Sequence, residues 1–202
     1  TVGSKGSSRG HFDCPKGICV RADEGFVCDT HNDRIVVLGT DLSWRYTFGR
    51  EGSGDGEFAC PNGIAAHGGE LYIVDHSNHR VQARPRPATP NLARHAPPRL
   101  PRQVFAPDRH GRMRFARAFG GEGVAPGQFF MPWGVAVVRG LLVVSECEGK
   151  RVQVLTPKGV PLQVLTLGEG LSGLCADEQR VWVADSQIDC VHACRWRRAL
   201  RD

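Results

Sequence analysis

The sequence predicts an all-β fold made of repeated four-stranded antiparallel sheets, and three observations carry that prediction. A motif recurs along the chain: an aromatic residue, a proline followed two residues later by glycine, a short apolar run ending in an acid, and an arginine five residues beyond it. It is clearest in Gly54–Gln82, where Phe58, Pro61, Asn62, Gly63, Asp75, Asn78 and Arg80 stand in that order. The glycines that mark the motif, Gly17, Gly63, Gly134 and Gly173, are 46, 71 and 39 residues apart, and periods of roughly 40–50 residues with four strands each are those of β-propeller blades. Short apolar runs are separated throughout by Gly, Asn and Asp turns, the signature of a β-meander. The expected architecture is a single β-propeller over residues 1–202 with about four blades of four antiparallel strands, the last blade incomplete.

The elements follow in order. Thr1-Val2-Gly3 reads as the end of an outer strand. The first blade takes Phe12, Pro15-Lys16-Gly17-Ile18, Phe26–Asp29, Asn32, Arg34–Leu38 and Trp44–Phe48. The second takes Phe58, Pro61–Ala66, a turn at His67-Gly68-Gly69, Leu71–Asp75, a turn at His76–His79, and a third strand from Arg80. The third takes Phe129, Pro132–Val135, Leu141–Val144, Glu146, Arg151–Leu155 and Leu162–Leu165. The fourth is degraded to Gly173-Leu174, Val181–Asp185 and Cys190-Val191, with no fourth strand before the basic end of the chain.

The long 71-residue step marks an insertion in the second blade. Residues 85–111 are rich in proline and arginine, with few apolar side chains to bury, and read as an extended or disordered loop. Arg80–Arg84 would complete the third strand, which Pro85 ends because it cannot donate to a ladder. Met113–Phe119 would then supply the fourth. In the alternative register Val104-Phe105 resumes the third strand, at extra loop-closure cost.

The spacing Phe-x-x-Pro-x-Gly, then Asp-x-x-Asn-x-Arg, resembles the NHL repeat. The match is specific in Phe12/Pro15/Gly17/Asp29/Asn32/Arg34 and Phe58/Pro61/Gly63/Asp75/Asn78/Arg80. It is looser in the third blade, with Glu146 for Asp and Gly149 for Asn, and the fourth lacks the Pro, Asn and Arg. NHL proteins are β-propellers, usually six-bladed, so the resemblance implies an incomplete or unusual member. It further implies a non-catalytic platform that presents one face to a protein partner, in some relatives as the substrate-recognition part of a ubiquitin ligase. No RING-type spacing occurs here, so ligase activity would reside in other sequence.

Strand direction places the loops entering the first strand, and those joining the second to the third, on one face. Lys16, Asn62, Trp133 and Ser172 lie there, beside His31, Asn32, His76, Ser77, Asn78, His79, Glu148 and Lys150. The resemblance implies that this face carries the partner site, which makes these residues, apart from Ser77 and Glu148, the candidate partner-binding set, with Trp133 foremost because aromatic side chains anchor interfaces; its other reading is a filler of the ring centre. The repeated pairs Asp29/Arg34, Asp75/Arg80 and Glu146/Arg151 read as structural, contributing about 0–1 kcal/mol each if partly exposed.

Two alternatives belong to other functional classes. The chain carries a net charge of +5, but residues 83–117 hold nine arginines against Asp108 alone, and the last eight residues add four more. The rest of the chain is net acidic. RNA binding through the Arg-rich insertion is therefore possible chemistry, while a basic nucleic-acid face on the propeller is not expected. The peptidylglycine α-amidating lyases are propellers with NHL-like repeats that use histidine-bound metal with Tyr and Arg. Here Tyr46 and Tyr72 sit in strands, and His31, His76 and His79 read as exposed polar turn residues, so no metal and no cofactor is expected. The 8 cysteines include no CxxC pair, and the expected setting is a reducing, cytoplasmic one with free thiols. Residues 1–10 contain no apolar signal core, and no apolar run approaches the roughly 20 residues of a membrane helix.

Overall fold

The computed structural model describes residues 1–85 and 115–195. Fifteen strands make four antiparallel sheets among them. Blade 1 is β1 (Pro15–Arg21), β2 (Glu24–Asp29), β3 (Arg34–Gly39) and β4 (Trp44–Phe48). Blade 2 is β5 (Pro61–His67), β6 (Glu70–Asp75), β7 (Arg80–Pro85) and β8 (Arg117–Gly120), and blade 3 is β9 (Pro132–Val138), β10 (Leu141–Glu146), β11 (Arg151–Leu155) and β12 (Pro161–Thr166). Blade 4 has three described strands: β13 (Leu171–Ala176), β14 (Arg180–Asp185) and β15 (Cys190–Arg195). Each is an up-and-down meander in chain order, and the only helical structure described is two 3-10 turns, Thr30–Asn32 and His76–Asn78. The described residues form a four-bladed β-propeller, as the repeat period predicts, and not the six blades usual among NHL proteins. Thr1–Gly3 forms no strand.

The third and fourth strands of blade 2 adopt the first of the two registers. Arg84 and Pro85 continue the third strand against Leu71 and Glu70, and Val81 pairs with Phe119 and Ala83 with Arg117, so Arg117–Gly120 supplies the outer strand; Val104-Phe105 lies outside the described residues. Met113 and nearly all of the insertion lie outside the described residues.

Blades pack face to face because alternate residues of each strand point to opposite neighbours. Between blades 1 and 2, Phe26, Cys28, Ile35 and Val37 meet Ile64, Leu71 and Ile73. Between 2 and 3, Tyr72, Val74 and Val81 meet Val135, Leu142 and Val144. Between 3 and 4, Val143 and Val152 meet Leu171, Val181 and Val183. Among the described residues, no strand of blade 4 packs in this way on blade 1.

The motif glycine serves this packing. A Cβ on Gly17 would fall 2.2 Å from the Asn62 carbonyl oxygen, and one on Gly63 would fall 2.8 Å from that of Trp133. Innermost strands therefore approach more closely than any side chain permits. On Gly173 the same atom would meet no described atom within 4 Å, so on the side away from blade 3 no described strand packs against blade 4 in the way that blade 2 packs against blade 1.

Candidate functional site

The recurring Asp, Asn and Arg form a staple at the blade entrance. Asp75 accepts Arg80 Nε at 2.7 Å and the Ala59 amide at 2.7 Å. The Arg80 guanidinium also donates to the carbonyls of Ser53, Gly54 and Glu57. Asn78 bridges Asp75 to the Gly52 carbonyl at 2.9 Å. Asp29, Asn32 and Arg34 repeat this around residues 6–13. In blade 3, Glu146 holds Arg151 at 2.8 Å and the Phe130 amide at 2.8 Å. Its longer side chain fills the space vacated by asparagine, since a Cβ on Gly149 would lie 2.4 Å from Glu146 Oε2. The three carboxylates have no solvent exposure, so these pairs are buried networks, and the range for partly exposed pairs does not apply to them.

The four innermost strands converge on an axial cavity of about 380 Å³, lined by Lys16, Asn62 and Trp133 together with the glycines and apolar residues that follow them. Lys16 Nζ lies 4.3 Å from the centroid of the Trp133 ring, a cation–π contact from blade 1 to blade 3. His76 packs edge-on against the same ring at 5.3 Å. Asn62 is only 2% exposed, yet neither its side-chain oxygen nor its nitrogen has a hydrogen-bond partner. Ser172 lies beside the cavity: its carbonyl accepts Ser145 Oγ at 2.6 Å, and its hydroxyl donates to the Ala184 carbonyl at 3.2 Å.

The turn residues stand elsewhere. Asn32 and Asn78 belong to the staples. His76 Nδ1 lies 2.8 Å from the Pro132 carbonyl, which can only accept, so Nδ1 carries the proton. Burial pushes the His76 pKa below that of a free imidazole; the Pro132 bond opposes this and Lys16 adds to it. Thr30, its equivalent in blade 1, donates to the Pro61 carbonyl at 2.8 Å. His79 Nδ1 accepts the Met131 amide at 3.1 Å and its ring stacks on Phe130, while its equivalent Asp33 accepts the Cys60 amide. Both histidines are thus struts to the next blade and half-buried, contrary to the expectation of exposed rings. His31 is exposed and faces Asp13 at 3.5 Å. Lys150 is exposed and paired with Glu169. These histidines form no ligand cluster among the described residues. Sequence reasoning missed the strut role, although alignment of Thr30 with His76 and of Asp33 with His79 contains the signal.

Comparison with known proteins agrees with this architecture. The NHL repeat model matches residues 58–83, the heart of blade 2. No curated protein matches the chain in sequence. Among solved structures, a chain of the nidogen/laminin complex superposes with a TM-score of 0.66 at 18% identity, covering 94% of this chain and 62% of that one. Catalytically inactive H270A virginiamycin B lyase from Staphylococcus aureus with quinupristin gives 0.56 at 12% identity, covering 91% and 56%. The computationally designed Ika4 protein gives 0.54 at 12%, covering 94% and 95%. The chain thus spans less than two thirds of the first two, and likeness at these identities concerns the fold alone. No described helix is long and apolar enough to cross a membrane.

Proposed function

We propose that this NHL-repeat β-propeller is a binding module that holds an extended polypeptide segment of a protein partner at the mouth of its axial cavity. The Asn62 amide carries the reading. A buried amide without partners costs about 1–3 kcal/mol, and a peptide group removes that cost by supplying one donor and one acceptor. Trp133 offers a flat apolar wall beside it, and Lys16 a cation for a carboxylate on the bound segment. The cavity lining holds no acid, histidine or hydroxyl, so it offers no general acid–base pair. A role as the substrate-recognition part of a ubiquitin ligase fits this reading, with the catalysis in other sequence.

Selection of peptides from a random library against the full chain, followed by calorimetry, tests the proposal. Trp133→Ala should weaken the selected peptides by about 2 kcal/mol or more. Asn62→Leu should weaken them while leaving thermal stability equal or higher, because it replaces an unpaired amide with an apolar group of similar size. Folded variants that bind as well as the parent, or selected ligands displaced by RNA, would sink it.

A further inference from the structure

The fourth blade departs from the others at one point in its register. In blade 2, Asp75 Oδ2 accepts Arg80 Nε at 2.7 Å and Gln82 Nε2 at 2.9 Å. In blade 3, Glu146 Oε1 accepts Arg151 Nε at 2.8 Å and Gln153 Nε2 at 2.7 Å. Strand pairing sets Asp185 opposite Cys190 as it sets Asp75 opposite Arg80. Cys190 therefore occupies the arginine position and His192 the glutamine position. The connection into this blade explains the loss of arginine. It is reduced to Leu167–Gly170, in place of the long loops whose carbonyls Arg80 and Arg151 hold. The acid nevertheless remains, its side chain wholly buried, without the guanidinium that neutralises its equivalents.

We propose that Asp185, Cys190 and His192 bind a divalent transition-metal ion, zinc, which takes the place of the guanidinium as the cation closing this hairpin. Cys190 Sγ lies 3.7 Å from His192 Nε2, which lies 3.2 Å from Asp185 Oδ2, and the three ligand atoms fall within 4.8 Å of one another. Ligands at about 2.0–2.3 Å from a tetrahedral zinc ion stand roughly 3.3–3.7 Å apart, so little movement closes the site. Thiolate, imidazole and carboxylate together suit zinc and disfavour magnesium or calcium. The Asp185 carboxylate is already oriented, because Oδ1 accepts the amides of Gln187 at 3.1 Å and Ile188 at 3.3 Å. Gly168 leaves the approach open: a Cβ there would stand 3.0 Å from Asp185 Oδ2. This is the one cluster of three such residues among those described. It shares no residue with the axial cavity lining, so it stands independently of the peptide-binding reading.

The test uses the full chain, stripped with a chelator and titrated with zinc or cobalt(II). One ion per chain is expected, and the cobalt form should show a thiolate-to-metal charge-transfer band and the intense visible bands of four-coordinate cobalt. Cys190→Ser should abolish the charge-transfer band, and Cys190→Ser and His192→Ala should each weaken zinc binding at least about tenfold. Cys147→Ser should change neither. Gly168→Val keeps every ligand and should weaken binding by filling the open side. Should the variants fail to fold, the parent protein still decides the matter, because zinc should slow alkylation of Cys190 while leaving the exposed Cys14 and Cys175 unprotected. Zinc affinity equal in the parent and in a folded Cys190→Ser/His192→Ala double variant, a cobalt spectrum without the thiolate band, or no protection of Cys190 would each overturn the proposal.

Discussion

At the scale of the residue, the guanidinium of the NHL motif does more than pair with one acid. Arg80 satisfies three loop carbonyls and the Asp75 carboxylate at once, and that carboxylate has no access to water. Removing the arginine leaves a buried charge unpaired, which costs about 3–5 kcal/mol. Arg50, paired with Glu57 but largely exposed, belongs to the class worth about 0–1 kcal/mol. Urea denaturation of Arg80→Met and Arg50→Met should separate the two by several-fold; equal losses would refute the staple. The cysteines divide in a similar way by burial. All eight are free thiols in the structure. Burial pushes the Cys19 thiol up to about 11, with Arg21 pulling weakly the other way. Burial pushes Cys28 higher still, and neighbouring Cys19 adds to the shift. Because the thiolate is the reactive species, iodoacetamide at pH 8 should label the exposed Cys14 and Cys175 first and reach Cys28 only on unfolding. Peptide mass spectrometry along a urea series reads this directly, and early labelling of Cys28 would contradict the packing of blades 1 and 2.

At the scale of the element, β8 is only four residues long and resumes after the insertion, so its first residue has to be tied down. Arg117 donates to both oxygens of Glu70 at 2.6 and 2.8 Å and to the Pro157 carbonyl in blade 3 at 2.9 Å. The Arg117 hydrogen bonds lower the Glu70 pKa below its ordinary value, against burial, with help from Tyr72. A carboxyl whose pKa is lower folded than unfolded adds stability above the unfolded pKa of about 4.3, and loses that contribution as pH falls through the folded value. Arg117→Met should therefore be less stable than the parent at pH 7, and the difference should shrink below about pH 4. A gap that stays constant with pH would assign Arg117 a packing role instead. The elements were legible in the sequence because each motif residue acts on neighbours at fixed spacing: Asp75 on Arg80, Pro61 at the head of β5, Gly63 against the next strand. The axial site was legible only as a list. Lys16 of blade 1 meets Trp133 of blade 3 at the axial cavity, and the isolation of the Asn62 amide depends on what surrounds it once all four strands converge. His76 and His79 looked like turn residues because their partners are 56 and 52 positions away. Cys190 registered as a lost arginine, since nothing in the spacing reveals that His192 and a buried acid stand beside it.

At the scale of the whole molecule, two sheet faces have no packed blade among the described residues. On blade 1 the free face carries Ile18 and Val20, 66% and 65% exposed, at the positions that Ile64 and Ala66 occupy in blade 2. On blade 4 it carries Trp182 and Val191, 36% and 65% exposed, at the positions of Phe26 and Ile35, which are wholly buried in blade 1. A repeat array buries its core only between neighbours, so the same residue type has opposite energetic weight inside the arc and at its ends. Ile64→Lys forces a charge into the first interface and should cost about 3 kcal/mol or more. Ile18→Lys, one repeat earlier, should change stability by no more than about 0.5 kcal/mol. Contiguous exposed apolar surface drives association, so the parent chain should show concentration-dependent sedimentation, and an Ile18→Lys/Val191→Lys variant should sediment as a monomer with an unchanged unfolding midpoint. If Ile18→Lys destabilises as severely as Ile64→Lys, the first and last blades touch in solution and the ring is closed. If the double variant associates as strongly as the parent, the end faces are not the sticky surfaces, and the exposed apolar residues there carry no energetic consequence.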